Sequence, residues 1–287
     1  MKTILFTILA LLAFAGNSIL CRLALGENAI DAVSFTWIRL LSGIIFLVVI
    51  LKIVQPKGTT VSKGSWKASF MLFLYAISFS FAYISLETGM GALILFSAVQ
   101  ITIIMAGLLS GNKLHYIEWL GAIVAFSGFV YLVTPGLTAP PLIGFILMSL
   151  SGVAWGFYTL AGKGSKNPLS DTSYNFIRTI PFVVILVAIK IQDSSLSLEG
   201  ILLAILSGGV TSGVGYTIWY MALGGLSAIQ AAVVQLFVPV IAALGGVVFA
   251  NEILSIRLVL SSIVIFSGIL TVILGKHFSD YQASRKT

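Results

Sequence analysis

Apolar runs of membrane-spanning length recur along the whole chain, and that recurrence leaves few folds open. A bilayer core of roughly 30 Å takes about 20 apolar residues per helix. Ten such runs can be read. They are Ile4–Leu20, Phe35–Ile53, Ala68–Leu86, Ala92–Leu109, Trp119–Thr134, Leu142–Gly162, Tyr174–Ile191, Gly200–Leu223, Ala228–Phe249 and Leu258–Leu274. Their length argues for helices, because barrel strands would be about ten residues with alternating polarity. The connections are short, and the longest, around Gln55 to Lys67, carries Pro56, Lys57, Gly58 and Lys63. The expected fold is all-α: a membrane protein of ten transmembrane helices without an extramembrane domain.

Composition agrees. Of 287 residues, 59% are hydrophobic and 9% charged, against about a quarter charged in a soluble domain. Lipid makes an apolar exterior the solvated one, so the bilayer itself is the expected surroundings. The net charge of +7 forms no basic stripe on a soluble face. It reads as loop charge that sets orientation, not as a nucleic-acid surface. Cys21 is the sole cysteine, so neither an internal disulfide nor a cysteine metal cluster is expected. His115 and His277 fall in loops or tails. No metal and no cofactor are implied.

The first run imitates a signal peptide, with Lys2, an apolar stretch and Ala13-Phe14-Ala15 as a cleavage-like triplet. It continues through Ile19 and Leu20 and has a counterpart in the second half, so it reads as a membrane span. Orientation follows from Lys and Arg in short loops. With the N-terminus inside, Lys2, Lys52, Lys57, Lys63, Lys67, Lys113, Lys163, Lys166, Lys276, Arg285 and Lys286 lie inside, and Arg22, Lys190 and Arg257 outside. That imbalance places both termini in the cytoplasm.

The halves resemble each other. Trp37-Ile38-Arg39 matches Phe176-Ile177-Arg178, and Tyr83-Ile84-Ser85-Leu86 matches Tyr220-Met221-Ala222-Leu223. Gln100 matches Gln235, and Phe126-Ser127-Gly128 matches Phe266-Ser267-Gly268. The order is kept at an offset of about 140 residues, as a duplication requires. Five spans per half is an odd number, so the second copy is inserted upside down. Inverted repeats are a recurring architecture of secondary transporters, with the substrate between repeats near the midplane. The expected division is 1–138 for helices one to five and 139–287 for helices six to ten.

Over nearly its whole length the chain resembles the EamA-type branch of the drug/metabolite transporter superfamily. The resemblance is carried by the Arg39 and Arg178 segments, by Tyr83 to Leu86 leading into Gly89-Met90-Gly91-Ala92-Leu93, and by Val238-Pro239-Val240-Ile241-Ala242. Ala250-Asn251-Glu252-Ile253-Leu254-Ser255 and the Phe-Ser-Gly segments add to it. The first half departs from the pattern: Asn112 stands where Glu252 stands in the second, and no proline follows Gln100 as Pro239 follows Gln235. The resemblance implies two five-helix halves and transport of small molecules, amino acids, vitamins or nucleoside-like metabolites among them.

Polar groups within hydrocarbon invite a functional reading. Asn17 lies mid-span in the first run, with Phe14 and Cys21 on the same side, and either lines a cavity or bonds a neighbouring helix. Gln100 and Gln235 occupy equivalent places, and an amide can serve both ends of a zwitterion. Tyr83, Trp155, Tyr158, Tyr216, Trp219 and Tyr220 offer broad apolar faces with polar handles, suited to planar or amphipathic substrates or to the membrane interface. Arg39 and Arg178 are possible anion contacts. Each lies about a turn from a helix end in this reading, so snorkelling is favoured. Gly208, Ser212 and Gly215, like Gly121, Ala125 and Gly128, read as close-packing faces.

No P-loop, Ser-His-Asp arrangement or HExxH motif occurs, and no carboxylate falls mid-span. Glu87, at the end of the third run, is read as outside and near water. The function expected is secondary transport by alternating access, probing first as export of amino acids or similar metabolites across the inner membrane. The partners are a small-molecule substrate and the bilayer, the state a monomer or homodimer. Uptake or exchange of a vitamin or nucleobase-like compound is the alternative. A membrane enzyme acting on lipid-linked substrates would need an intramembrane acid or histidine cluster.

Overall fold

The computed structural model describes residues 2–54, 62–109, 116–133, 139–190, 195–226, 231 and 234–284. They are helical apart from turns and one isolated antiparallel bridge between Ile30 and Leu196. The first half holds α1 (Lys2–Gly26), α2 (Ala32–Val54), α3 (Trp66–Tyr83), α4 (Thr88–Leu109) and α5 (Tyr116–Val133). The second holds α6 (Leu142–Gly162), α7 (Pro168–Ile177), α8 (Ile180–Lys190), α9 (Leu198–Leu206), α10 (Gly215–Leu223), α11 (Phe237–Phe249) and α12 (Ile256–Ser284). A π-helical stretch, Ser207–Val214, joins α9 to α10. Helices satisfy their own backbone bonds, which lipid demands of any spanning segment.

Polarity is arranged as lipid requires. Leu109, Ile123, Val248 and Ile263 are exposed on the outside, while Asn17, Arg39, Gln100 and Gln235 are buried within. Among the described residues, six helical segments are long and apolar enough to cross a bilayer: Lys2–Gly26, Ala32–Val54, Thr88–Leu109, Leu142–Gly162, Pro168–Ile189 and Leu198–Leu223. Trp119–Leu132, Phe237–Phe249 and Ile256–Val272 are shorter apolar helices. α3 is more polar because it carries Lys67, Ser69, Tyr75, Ser78 and Ser80.

Three of the differences from the sequence reading bear on the interior. α2 begins at Ala32, not Phe35, because Asp31 accepts from the Ser34 N–H at 2.9 Å and caps the helix. Arg39 therefore lies about two turns inside. The seventh run begins at Pro168, capped by Asn167, and breaks between Ile177 and Ile180. Pro181 explains the break, since it has no N–H to continue the ladder. The eighth run is continuous but locally wound as a π-helix. Its small residues permit close approach: a Cβ on Gly208 would stand 1.9 Å from the Arg39 carbonyl oxygen of α2.

α5 packs chiefly on α12, with a Cβ on Gly121 falling 2.6 Å from the Gly268 carbonyl. α3 and α4 both pack on α6. α1 packs on α9, α10 and α11. The cleavage-like triplet Ala13-Phe14-Ala15 lies in the middle of α1, with Phe14 and Ala15 buried.

The turns gather at two ends. At one, Asp31 accepts from the Ser195 N–H at 3.0 Å, and Arg22 pairs with Glu252 at 3.1 Å. At the other, Gly64 N–H donates to Asp171 at 3.1 Å and Ser65 N–H to Asn175 at 3.0 Å. Asn112, His115, Lys57, Lys113, Asp193, Arg285 and Lys286 lie outside the described residues.

Candidate functional site

Four segments meet around one buried cation. Arg39, 1% exposed, comes from α2. Its Nε donates to Ser212 Oγ at 3.1 Å. Its Nη2 donates to Tyr75 Oη at 3.0 Å and Tyr216 Oη at 2.8 Å. The guanidinium stacks over the rings of Tyr75 and Phe79, at 5.1 and 5.0 Å from their centroids, a favourable contact of about 0.5–2 kcal/mol. Snorkelling is thus corrected for Arg39. The longer α2 carries it too deep for its side chain to reach an interface.

Asn17 of α1 joins the same network. Its Nδ2 donates to Tyr75 Oη at 3.0 Å, and Ser207 Oγ donates to its Oδ1 at 2.7 Å. Thr211 and Ser212 hydroxyls stand 3.2 and 3.4 Å from that oxygen. The π-helical winding explains the convergence: its wider turn puts residues four and five apart on one face. Ser207, Thr211 and Ser212 consequently all reach Asn17, and Ser212 bridges it to Arg39.

Aromatic rings close the centre. Trp155 of α6 lies 4.5 Å from the Tyr216 ring and 5.0 Å from the Tyr75 ring. Phe14 packs edge-on against both Trp155 and Trp219, at 5.5 Å each. Tyr158 stacks near Trp155 at 5.4 Å and Tyr220 at 5.5 Å, and the Tyr220 hydroxyl donates to the Tyr158 carbonyl at 3.1 Å. Tyr83 lies farther along α3, donating to the Thr88 carbonyl at 3.2 Å. Trp155, Tyr158, Tyr216, Trp219, Tyr220 and Tyr83 are all buried against other helices.

The glutamines behave differently. Gln100 is buried in α4. Gln235 is buried and donates to the Ala231 carbonyl of its own segment at 3.0 Å. No described hydrogen bond joins Gln235 to the Arg39 network. Arg178 is not central: it caps the end of α7, donates to the Lys63 carbonyl and stacks on Trp66 at 5.5 Å. Tyr75 was missed in the sequence reading, although a tyrosine in the middle of an apolar run needs a partner for its hydroxyl.

A second polar cluster closes one end of the bundle. Asn251, at a left-handed φ of 51° that asparagine tolerates, turns the chain so that Glu252 reaches across from the second half. Glu252 accepts from Arg22 at 3.1 Å, from the Thr88 N–H at 2.9 Å and from the Thr88 hydroxyl at 3.0 Å. It thereby caps α4, where an anion is favoured. Glu87 is half-buried beside it, not freely solvated as read from sequence. Burial, then the Glu252 charge, push its carboxyl pKa up. Among the described residues, no group of three His, Cys, Asp or Glu could hold a metal ion.

Buried, hydrogen-bonded polar groups and stacked aromatics enclosed by an apolar, many-helix bundle define a multi-pass membrane protein. Residues 142–274 match the EamA-like transporter family. The chain is 47% identical over 272 residues to an uncharacterised protein of Pseudomonas aeruginosa, covering 95% of this chain and 94% of that one. It is 26% identical over 234 residues to an uncharacterised transporter of Archaeoglobus fulgidus, covering 80% and 83%. A solved crystal structure shares the fold at a TM-score of 0.66 and 17% identity, over 95% of this chain and 97% of that one. The chain belongs to the EamA-like transporter family and is a membrane transporter.

Proposed function

We propose that the chain is a secondary transporter that exports amino acids or related amphipathic metabolites across the bacterial inner membrane by alternating access. The observation that carries this reading is the enclosed Arg39–Tyr75–Asn17 centre, built from α2, α3 and α1 together with Ser212 and Tyr216 of the second half. A site shared by both halves changes when one half rocks against the other, which alternating access requires.

In this proposal the ten crossings form two inverted repeats, 1–138 and 139–287. Support comes from the helix pairing. α1 packs on the α9–α10 segment as α6 packs on α3, and α5 pairs with α12, its counterpart. The family match starts at Leu142, the first residue of α6. Both termini are placed in the cytoplasm, with Lys63 and Lys67 at that end and the Arg22–Glu252 pair outside. The protein works as a monomer or homodimer. No acid or histidine is seen among the described mid-span side chains, so transport runs down the substrate gradient or by exchange.

A second reading, exchange of a planar vitamin or nucleobase-like compound, draws on the Trp155–Tyr216–Tyr75 ring cluster. A flux screen in proteoliposomes over amino acids, vitamins and nucleosides tests both. Counterflow of an amino acid supports the first, and counterflow of a planar heterocycle alone supports the second. Absence of flux for every compound contradicts the transport reading.

A further inference from the structure

The central site holds more hydrogen-bond donors than acceptors to receive them. Tyr75 Oη stands within bonding distance of Arg39 Nη2, Asn17 Nδ2 and the Tyr216 hydroxyl. Its two lone pairs and its one proton are all engaged by these three contacts, so the phenol can receive no further donor. Arg39 Nη1, Trp155 Nε1 and Trp219 Nε1 are buried without a hydrogen-bond partner. Unpaired buried donors are uncommon and call for an explanation.

Charge is as one-sided as hydrogen bonding. A guanidinium stays protonated in a protein. Among the described residues, Arg39 has no carboxylate partner; the ion pair described is Arg22–Glu252, at one end. Glu27, Asp31, Glu87, Asp171 and Glu199 also sit at turns or helix starts. The centre therefore carries a fixed positive charge in a low-dielectric interior, where an opposite charge is attracted strongly and a like charge repelled.

We infer that the cargo of this centre is an organic anion, a carboxylate on a planar or aromatic body, whose negative group pairs with the unpartnered Nη1 of Arg39 when the centre opens, while its body lies against Trp155. Trp155 is the neighbouring aromatic because it shares Tyr75 and Tyr216 with Arg39. The inference rests on the reading of this centre as the transport site, and it narrows the class. A zwitterion brings an ammonium for which the centre offers no carboxylate. The faces of Tyr75 and Phe79 that could hold an ammonium already carry Arg39 itself. Acids lacking the ammonium are favoured over amino acids, and neutral or cationic analogues are disfavoured.

The test uses the full chain in lipid nanodiscs and four probes of nearly one shape: 3-phenylpropionate, its amide, phenylalanine and phenethylamine. Tryptophan fluorescence and thermal shift read binding. The acid binds at least ten-fold more tightly than the amide, phenylalanine falls between, and phenethylamine binds weakest. Arg39→Lys, which keeps a charge but loses the planar fork, weakens the acid about ten-fold and leaves the amide unchanged. Should Arg39→Lys not fold, the wild-type ranking with Trp155→Phe decides, the latter weakening the acid several-fold by losing a donor. Equal binding of acid and amide, or no binding of any probe at millimolar concentration, overturns the inference. Counterflow of the labelled probes in proteoliposomes separates it from the transport reading. Acid-selective binding without flux of the acid keeps the anion site and contradicts transport. Arg39-independent flux of the amide or the amine keeps transport and overturns the anion site.

Discussion

Arg39 and Arg178 stand at matching places in the two halves, each after an aromatic and an isoleucine, and the fold treats them oppositely. Arg39 is sealed in the centre, bonded to Ser212, Tyr75 and Tyr216. Arg178 sits at a helix end, bonded to a backbone carbonyl and laid over Trp66. The cause is local. α2 runs unbroken for 23 residues from the Asp31 cap, carrying Arg39 inward. The matching segment stops at Ile177, just ahead of Pro181, leaving Arg178 at a break. Of two arginines in matching sequence contexts, backbone continuity makes one central.

The largest expected effect breaks this pair apart. Arg39→Gln should lower counterflow by on the order of a hundred-fold, the scale of one lost positioning contact. Arg178→Gln should stay within about two-fold, because a helix-end contact is largely solvated. Stability need not follow flux. Removing Arg39 loses three charge-assisted bonds of about 1.5–3 kcal/mol each but also a buried charge whose desolvation is several kcal/mol. We expect a net change within about 2 kcal/mol by thermal unfolding, near the cancellation of those terms. Equal flux loss in both variants would erase the asymmetry.

Next is the seam between α2 and the π-helical stretch. Gly208→Ala puts a methyl against the Arg39 carbonyl, an approach of 1.9 Å that backbone must relieve. A loss of about 1–3 kcal/mol is expected, as for other overpacked sites. Gly16→Ala, whose nearest contact is 3.6 Å, should be neutral or gain up to about 1 kcal/mol from helix propensity. Chemical denaturation of both variants checks this, and equal losses would mean that the seam is not tight.

The carboxylates of the Arg22–Glu252 cluster give smaller effects. Glu252→Gln removes the Arg22 pair and weakens the α4 cap, for about 1 kcal/mol. Glu87→Gln gives less, with a pH signature. Its carboxyl pKa is raised by burial and by Glu252, so its stabilising protonated form is fully present below the unfolded value of about 4.3. That contribution is lost as pH rises through the higher folded value. Glu87→Gln should therefore match wild type in acid and melt on the order of 1 °C higher at neutral pH. A lower melting temperature at neutral pH would contradict the placement.

The sequence made the bundle readable because lipid imposes it: Leu142–Gly162 agrees at both ends, and the other runs overlap helices where described. The centre was half readable. Asn17 and Trp155 stand out as polar or amphipathic groups deep in apolar runs. Tyr75 was equally visible in its run and was passed over. The depth of Arg39 depends on the Asp31 cap, a signal four residues before the apolar run that starts at Phe35. Ser212 was read as packing, and it is that. Its second role depends on π-helical winding, which no residue spacing announces.

The most direct test asks whether the centre is reached from both sides. Ser212→Cys, on a Cys21→Ser background, places a thiol beside Arg39 and Asn17. A membrane-impermeant thiol reagent is applied to right-side-out and to inverted vesicles. Alternating access predicts labelling in both orientations, slowed in both by a transported substrate. Labelling from one side only, or from neither while the variant still transports, would contradict a site shared and alternately opened by the two halves.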